Sequence, residues 1–423
     1  MKKAERHARW QGAEKLESYK NQLKDARSEQ SVGKDTQKPL DEFITRENSD
    51  RVSGFIEIAG ALAKSGQMET VTLLLSKVSQ VFDTMTNDTL RVELLSRFIV
   101  VLAQIGSFDE ALEIAQEIRD LERQSQILLE VFEIACTTQN SRTSDILEAI
   151  TQPRDKVNAL IKLGAANYER EQHEEAKLML SHATELAGGL YPEALQAAAF
   201  SQIALVLHKA GSLEEAKAKF TQAYALAQKS LTATWRTWAL CKFAVHVAQA
   251  GYSDWSDNAL KTADVMVSKS FEVPVLESPV SALSHFAEAL ATLGKFDEAT
   301  KVASEISDYY EQDWVWDFIS LCLANQARFP EAFDVIRNMK TGDYYGKSII
   351  NLAMLIAKSG KYKYALDIFG NQSIDKLIIC LASLRDMLES AEHGMFIQTL
   401  RENTRIAGWL DPEWKEINES LVE

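Results

Sequence analysis

Residues Leu102–Ile118 read LAQIGSFDEALEIAQEI, and the parsing of this stretch decides the fold. One apolar, helix-compatible run ends at Gly106, and another begins with Ala111 five residues later. Glycine punctuates helices, so the segment reads as helix, tight turn, helix. The arrangement returns in LHKAGSLEEAKAKF (from Leu207), LATLGKFDEATKVASEI (from Leu290) and LIAKSGKYKYALDIF (from Leu355). Turn positions fall at Gly66, Gly106, Gly211, Gly251, Gly294 and Gly360, with Glu171 and Ala327 standing where glycine is absent. The 65 residues between 106 and 171 leave room for one degenerate unit turning near Gln139. The other steps are 40, 40, 40, 43, 33 and 33, and recurrence on that scale marks a repeat protein.

Two columns of small residues explain how a unit would pack. Seven residues before each turn stand Ala59, Ile99, Gly164, Ala204, Ala244, Ala287, Ser320 and Ala353. Five after it stand Val71, Ala111, Ala176, Ala216, Ser256, Ala299, Ala332 and Ala365. Small side chains facing each other bring helix axes toward the lower end of the usual roughly 8–10 Å. Bulkier residues one place before the first column, such as Phe98, Leu163, Ile203 and Phe243, are expected to fill the seam. Ser107 with Glu110, and Ser212 with Glu215, have capping-box spacing and are expected to close the start of the second helix.

Thr341–Ile350, TGDYYGKSII, contains the Gly-Lys-Ser of a phosphate-binding loop. The spacing is wrong for GxxxxGK[ST], because only three residues separate Gly342 from Gly346 and two of them are Tyr344 and Tyr345. The preceding PEAFDVIRNMK has helical periodicity, whereas a phosphate cradle follows a strand. The stretch therefore reads as the joint between two units.

Composition agrees with a helical, globular chain: 423 residues, 46% hydrophobic and 25% charged, with only 7 prolines. A net charge of −15 argues against nucleic acid and anionic membrane as partners. The opening MKKAERHARWQGAEKL lacks the apolar core of a secretory signal, and no apolar run is long enough to span a bilayer. Cys136, Cys241, Cys322 and Cys380 are scattered singly, which predicts free thiols and a cytoplasmic location.

The turn signature G-x-[FYL]-[DE]-[ED]-A, with a small residue in the first helix, resembles that of tetratricopeptide repeats over roughly residues 50–394. The resemblance implies an all-α, right-handed superhelical solenoid of about eight or nine antiparallel helix pairs. The steps of 40 exceed that family's period and leave a related helical-pair solenoid open. The chain divides into a charged N-terminal helix and linker (1–45), the repeat solenoid (46–394) and C-terminal capping helices (395–423). Trp10, Ala13, Leu16, Leu23 and Ala26 form a helical stripe near the start, read as a cap or as a docking joint. Asp411 and Pro412 begin the last helix.

In the family resembled, first helices line a concave groove that holds peptides. Its groove-facing places map here onto Asn158, Tyr168, His208, Lys209, Trp238, Gln249, Trp314, Asp317, Asn325 and Lys347. Trp238 and Trp314 would supply broad contact surface, or else pack against the neighbouring unit; Trp235 and Trp316 leave the same choice open. The chaperone-tail clamp known in that family is not expected, since no basic residue stands ten places before any turn.

No catalytic constellation is evident. Pairs such as Asp109-Glu110 and Asp297-Glu298 fall in the first turn of a helix, where they face its positive end and solvent. His208, His246 and His285 lie three, five and nine places before their turns, out of register for a metal site. The expectation is a non-enzymatic, protein- or peptide-binding scaffold without cofactor or metal. A regulatory region of a larger assembly and a helical-toroid enzyme are the alternatives.

Overall fold

A computed structural model describes residues 68–85, 88–272 and 278–361, with five further positions between 52 and 60. The N-terminal stripe, the 1–45 and 395–423 boundaries, Ala365, Cys380 and the Asp411–Pro412 start lie outside the described residues. The chain forms two compact units, Met1–Ile114 with Gln372–Glu423, and Ala115–Asn371.

The described residues are helical, with no strand among them. In the first unit α1 (Met68–Thr84) and α2 (Asp88–Gln104) are followed by α3 (Phe108–Gln116), which runs into the second. Phe82 of α1 meets Phe98 of α2 edge to face at 5.6 Å. The second unit continues with α4 (Leu121–Thr137), α5 (Thr143–Ala149), α6 (Pro153–Glu169), α7 (His173–Gly188) and α8 (Glu193–Lys209). After these come α9 (Leu213–Lys229), α10 (Ala233–Gln249), α11 (Ser253–Ser270) and α12 (Pro279–Thr292). The described helices end with α13 (Phe296–Ser304), α14 (Tyr309–Asn325), α15 (Phe329–Ile336) and α16 (Gly342–Lys358). Even-numbered helices are the first of each pair and odd-numbered ones the second.

Every turn within a pair among the described residues uses one backbone device; the turn expected at Gly66 lies outside them. Gly106, Gln139, Glu171, Gly211, Gly251, Gly294, Ala327 and Gly360 all have φ between 53° and 85°. The left-handed residue lets the next N–H reach back to a carbonyl five residues earlier, as Ser107 does to Leu102 and Ser212 to Leu207, both at 2.9 Å. Gln172 repeats the bond to Asn167, and Arg328 to Leu323. Glu171 and Ala327 thus occupy a conformation that glycine adopts without steric cost. Ala327→Gly should stabilise the protein by about 0.5–1 kcal/mol, read as a higher urea midpoint at unchanged slope.

The same geometry corrects the capping expectation at Ser212. Its backbone, at φ −81° and ψ 62°, leaves the extended region that an N-cap prefers, and its side chain makes no cap hydrogen bond. The Ser212 carbonyl instead accepts from Ala216 N–H at 3.0 Å.

Both small-residue columns are buried wherever their side chains are described. Ala111, Ala176, Ala216, Ala299 and Ala332 are wholly inaccessible on the second helices, as are Ala204, Ala244, Ala287 and Ala353 on the first. At Gly164 a Cβ would come within 2.9 Å of the Leu180 side chain on α7, which would have to shift to admit it. Leu163, expected in the seam, is only half-buried, because α5 beside it has just 7 residues.

The mixed period resides in the second helices. Those of the longer units, α7, α9 and α11, have 16, 17 and 18 residues, whereas α13 and α15 have 9 and 8. First helices stay at 17 residues except α12, which has 14. A unit of 40 is a unit of 33 with about two helical turns added to its second helix.

Within Ala115–Asn371, each first helix from α4 to α16 packs on the next first helix. Second helices pack on their own first helix and on the following one, with no comparable contact between successive second helices. Fifteen places before the turn, a polar side chain ties four of the joints. Gln124 Nε2 donates to the carbonyls of Ala115 and Ile118, Gln312 Nε2 to Ala303 and Ile306, Gln196 Nε2 to Leu190, and Arg236 Nε to Ser230. These bonds satisfy carbonyls left over where a second helix ends.

Candidate functional site

TGDYYGKSII is a joint, and its chemistry is structural. It follows the helix α15, and Gly-Lys-Ser lies inside α16. The carboxylate of Asp313, a fully buried residue of α14, accepts from the N–H of Lys340 (3.0 Å) and the N–H and hydroxyl of Thr341 (2.7 and 2.6 Å). An anionic side chain from the preceding first helix therefore occupies the start of α16, where its partial positive charge favours an anion.

The row of first helices carries the residues expected at the groove. Lys209, Gln249, Asn325 and Trp314 are exposed, and Asn158, Tyr168, His208, Trp238 and Asp317 are half-buried. None of these nine is buried, while their helix neighbours Leu207, Ala239 and Val315 are. Lys347 lies on α16, but its side chain is outside the described set. Trp314 is 41% exposed, whereas Trp316 two places on is 5% exposed and belongs to the core. Trp238 meets Trp235 of its own helix edge to face, ring centres 5.6 Å apart. His208 sits edge-on to Tyr252 at 5.5 Å.

The other histidines also have local partners. His285 Nδ1 is 3.8 Å from Glu288. His246 Nδ1 is 2.8 Å from the Ser201 hydroxyl, which itself donates to the Ala198 carbonyl at 2.8 Å. Because that hydroxyl proton is already used, His246 must donate from Nδ1 and keep Nε2 unprotonated. Burial, with help from Lys242, lowers its pKa from 6.5 to about 4. The unfolded chain binds this proton below about pH 6.5 while the folded chain resists it until about pH 4. Stability is therefore lost as pH falls through that window. The expected loss is about 2 kcal/mol, less than the full shift implies because the ring is partly exposed. His246→Gln should flatten the loss in urea melts between pH 7 and pH 4.

Thiol chemistry has little support. Burial raises the Cys241 thiol far above its ordinary value and lifts Cys322 to about 11, Glu288 adding to both. Burial also raises Cys136, against the pull of Arg170. Protonated thiols are poor nucleophiles and poor metal ligands. Among the described residues no group of three or more His, Cys, Asp or Glu is placed to hold a metal ion. Nor is any described helix long and apolar enough to cross a membrane. A cleft of about 450 Å³ opens beside the short α5, lined by Cys136, Gln139, Asn140, Leu163, Arg170 and Gln172 among others. Sequence reading missed it, and the only signal was the degeneracy of that unit.

Helix pairs closed by a left-handed turn, stacked through one row of first helices, define a TPR-like α-solenoid. No protein-family model matches the chain, and no curated protein matches it. Among solved structures it is similar to Ton1535 from Thermococcus onnurineus NA1, at 16% identity over 78% of this chain and 99% of that one, with a TM-score of 0.32. A Rap protein complexed with competence and sporulation factor shows 15% identity over 88% and 99%, TM-score 0.27. A STAND protein with a tetratricopeptide repeat sensor, PH0952 from Pyrococcus horikoshii, shows 12% over 92% and 65%, TM-score 0.27. Superposition this loose carries no functional argument, and the class rests on the helix pairs themselves.

Proposed function

We propose that the chain is a non-catalytic scaffold that binds a protein or peptide on the row of first helices in Ala115–Asn371. The observation that carries this is the surface register: the nine described candidate residues all reach the surface of helices that pack side by side. A row whose members pack side by side, beside second helices with no comparable contact, is the inner side of a bend, and a curved inner face suits an extended or helical ligand. Trp314 and Trp238 are the anchors in this reading, with Lys209, Gln249, Asp317 and Asn325 as polar contacts around them. Lys347 would extend the face along α16, and residues 1–45 would join the scaffold to a larger assembly.

Affinity capture with mass spectrometry tests this, comparing the full chain with its Trp238→Ala/Trp314→Ala variant, shown to be folded by circular dichroism. A partner held by the first and lost by the second is the expected result. A partner retained by both would move the site away from the first helices.

A further inference from the structure

The cleft beside α5 carries one formal charge, and that charge is positive. Arg170 supplies it, and none of the eight lining residues is acidic. Arg170 is half-buried, and its Nη2 donates to the Cys136 carbonyl. No carboxylate among the described residues lies within ion-pair distance of the guanidinium. Glu133, whose charge acts on the neighbouring Cys136 thiol, is held by Lys162. Glu169 and Glu171, on either side of Arg170 in sequence, are exposed and stand outside the lining. A guanidinium carries its N–H groups in a planar fork, so one bond to a carbonyl leaves an edge open for a bidentate acceptor.

The floor of the cleft is apolar and uncovered. Leu163 stands at the seam position, which is buried at Phe98, Ile203, Phe243, Phe286, Ile319 and Leu352. Here it is only half-buried, because the 7 residues of α5 are too few to cover it. The walls are neutral and able to hydrogen-bond. The Thr143 hydroxyl donates to the Asn140 carbonyl at 2.6 Å, and Asn140 Oδ1 accepts from the Arg142 N–H at 2.9 Å, which fixes the turn into α5. The side chains of Gln139, Ser144 and Gln172 make no hydrogen bond to a described residue.

We propose that this cleft is a small-molecule site and that it takes a monocarboxylate with a compact aliphatic body, of the class of N-acylated aliphatic amino acids. The carboxylate would lie on the open edge of Arg170, the aliphatic group would cover Leu163, and the amide would meet Gln139, Ser144 or Gln172. A volume of about 450 Å³ falls within the roughly 300–1,000 Å³ of small-molecule pockets. One guanidinium balances one carboxylate. A phosphate dianion would bring a second negative charge, for which the lining has no cation, to a chain of net charge −15. None of the groove candidates lines the cleft, so this site and the first-helix row stand or fall separately.

Saturation-transfer NMR on the full chain tests this with N-acetylleucine and its neutral counterpart, N-acetylleucinamide. The acid should bind at millimolar concentration, and the amide about tenfold more weakly or worse. Arg170→Gln keeps a donor toward the Cys136 carbonyl and should weaken the acid about tenfold while leaving the amide unchanged. Arg142→Gln should change neither, because Arg142 is exposed, pairs with Asp145 and does not line the cleft. Ser144→Trp, at an exposed lining position, should block both ligands, and it keeps the test in force should Arg170→Gln fail to fold. Absence of transfer to the acid, or equal binding of acid and amide, would overturn the proposal. So would an acid indifferent to Ser144→Trp. A tetrapeptide ending in leucine that binds far more tightly than N-acetylleucine would overturn the assignment to a free molecule, because the carboxylate would then belong to a chain end.

Discussion

Asp313→Ala is expected to destabilise the second unit by about 4 kcal/mol, the joint before α16 giving way first. The wild-type carboxylate is fully buried and accepts from two backbone N–H groups and one hydroxyl, all from Lys340 and Thr341. Alanine removes the acceptor and leaves those part-buried donors without it. Each buried orphan costs roughly 1–3 kcal/mol, and the cavity left by the side chain adds to the sum. Asp313→Asn keeps one acceptor oxygen and should lose about half as much. Hydrogen exchange separates local from global failure: amides of α16 should exchange far faster while those of α8 and α10 stay protected. Uniform protection would show that Asp313 does not hold the joint.

Phe220→Ala should cost about 4 kcal/mol by urea denaturation, through loss of apolar burial and the cavity that follows. Phe220 on α9 is wholly buried and meets Phe243 of α10 edge to face at 6.1 Å and Tyr252 at 6.0 Å. Phe243 in turn stacks on Trp255 of α11 at 6.3 Å and touches Tyr224 at 5.2 Å, so the cluster spans two units. With the cluster drawn from three helices, the site cannot collapse around an alanine without moving the stack. Phe220→Leu retains most of the buried area and should lose far less. Nearly equal losses for the two variants would mean that ring geometry, more than volume, sets the stability of this joint.

The sequence by itself determined the pairing of helices, the places where they turn and the face each one buries. Those features depend on local chemistry: a residue that must adopt left-handed φ, and small side chains recurring at fixed offsets from it. The offsets were regular enough to place turns at Glu171 and Ala327, where no glycine marks them, and near Gln139 in the degenerate unit. The surface register of the first helices follows from the same offsets, which is why nine of the candidate positions are exposed or half-buried. What only the tertiary structure decided involves partners distant in sequence. The bond from Asp313 to Thr341 spans 28 residues, and the one from Ser201 to His246 spans 45. Neither has a local signature, since an acidic residue or a serine on a helix is most often solvated. The unused cap at Ser212 failed for a local reason: the left-handed turn at Gly211 sets the backbone angle of the residue after it, and that turn outranks the capping motif. Rotation about a helix axis also separated Trp314 from Trp316. They are two residues and about 200° apart on one helix, so packing against adjacent units buries one ring and leaves the other at the surface.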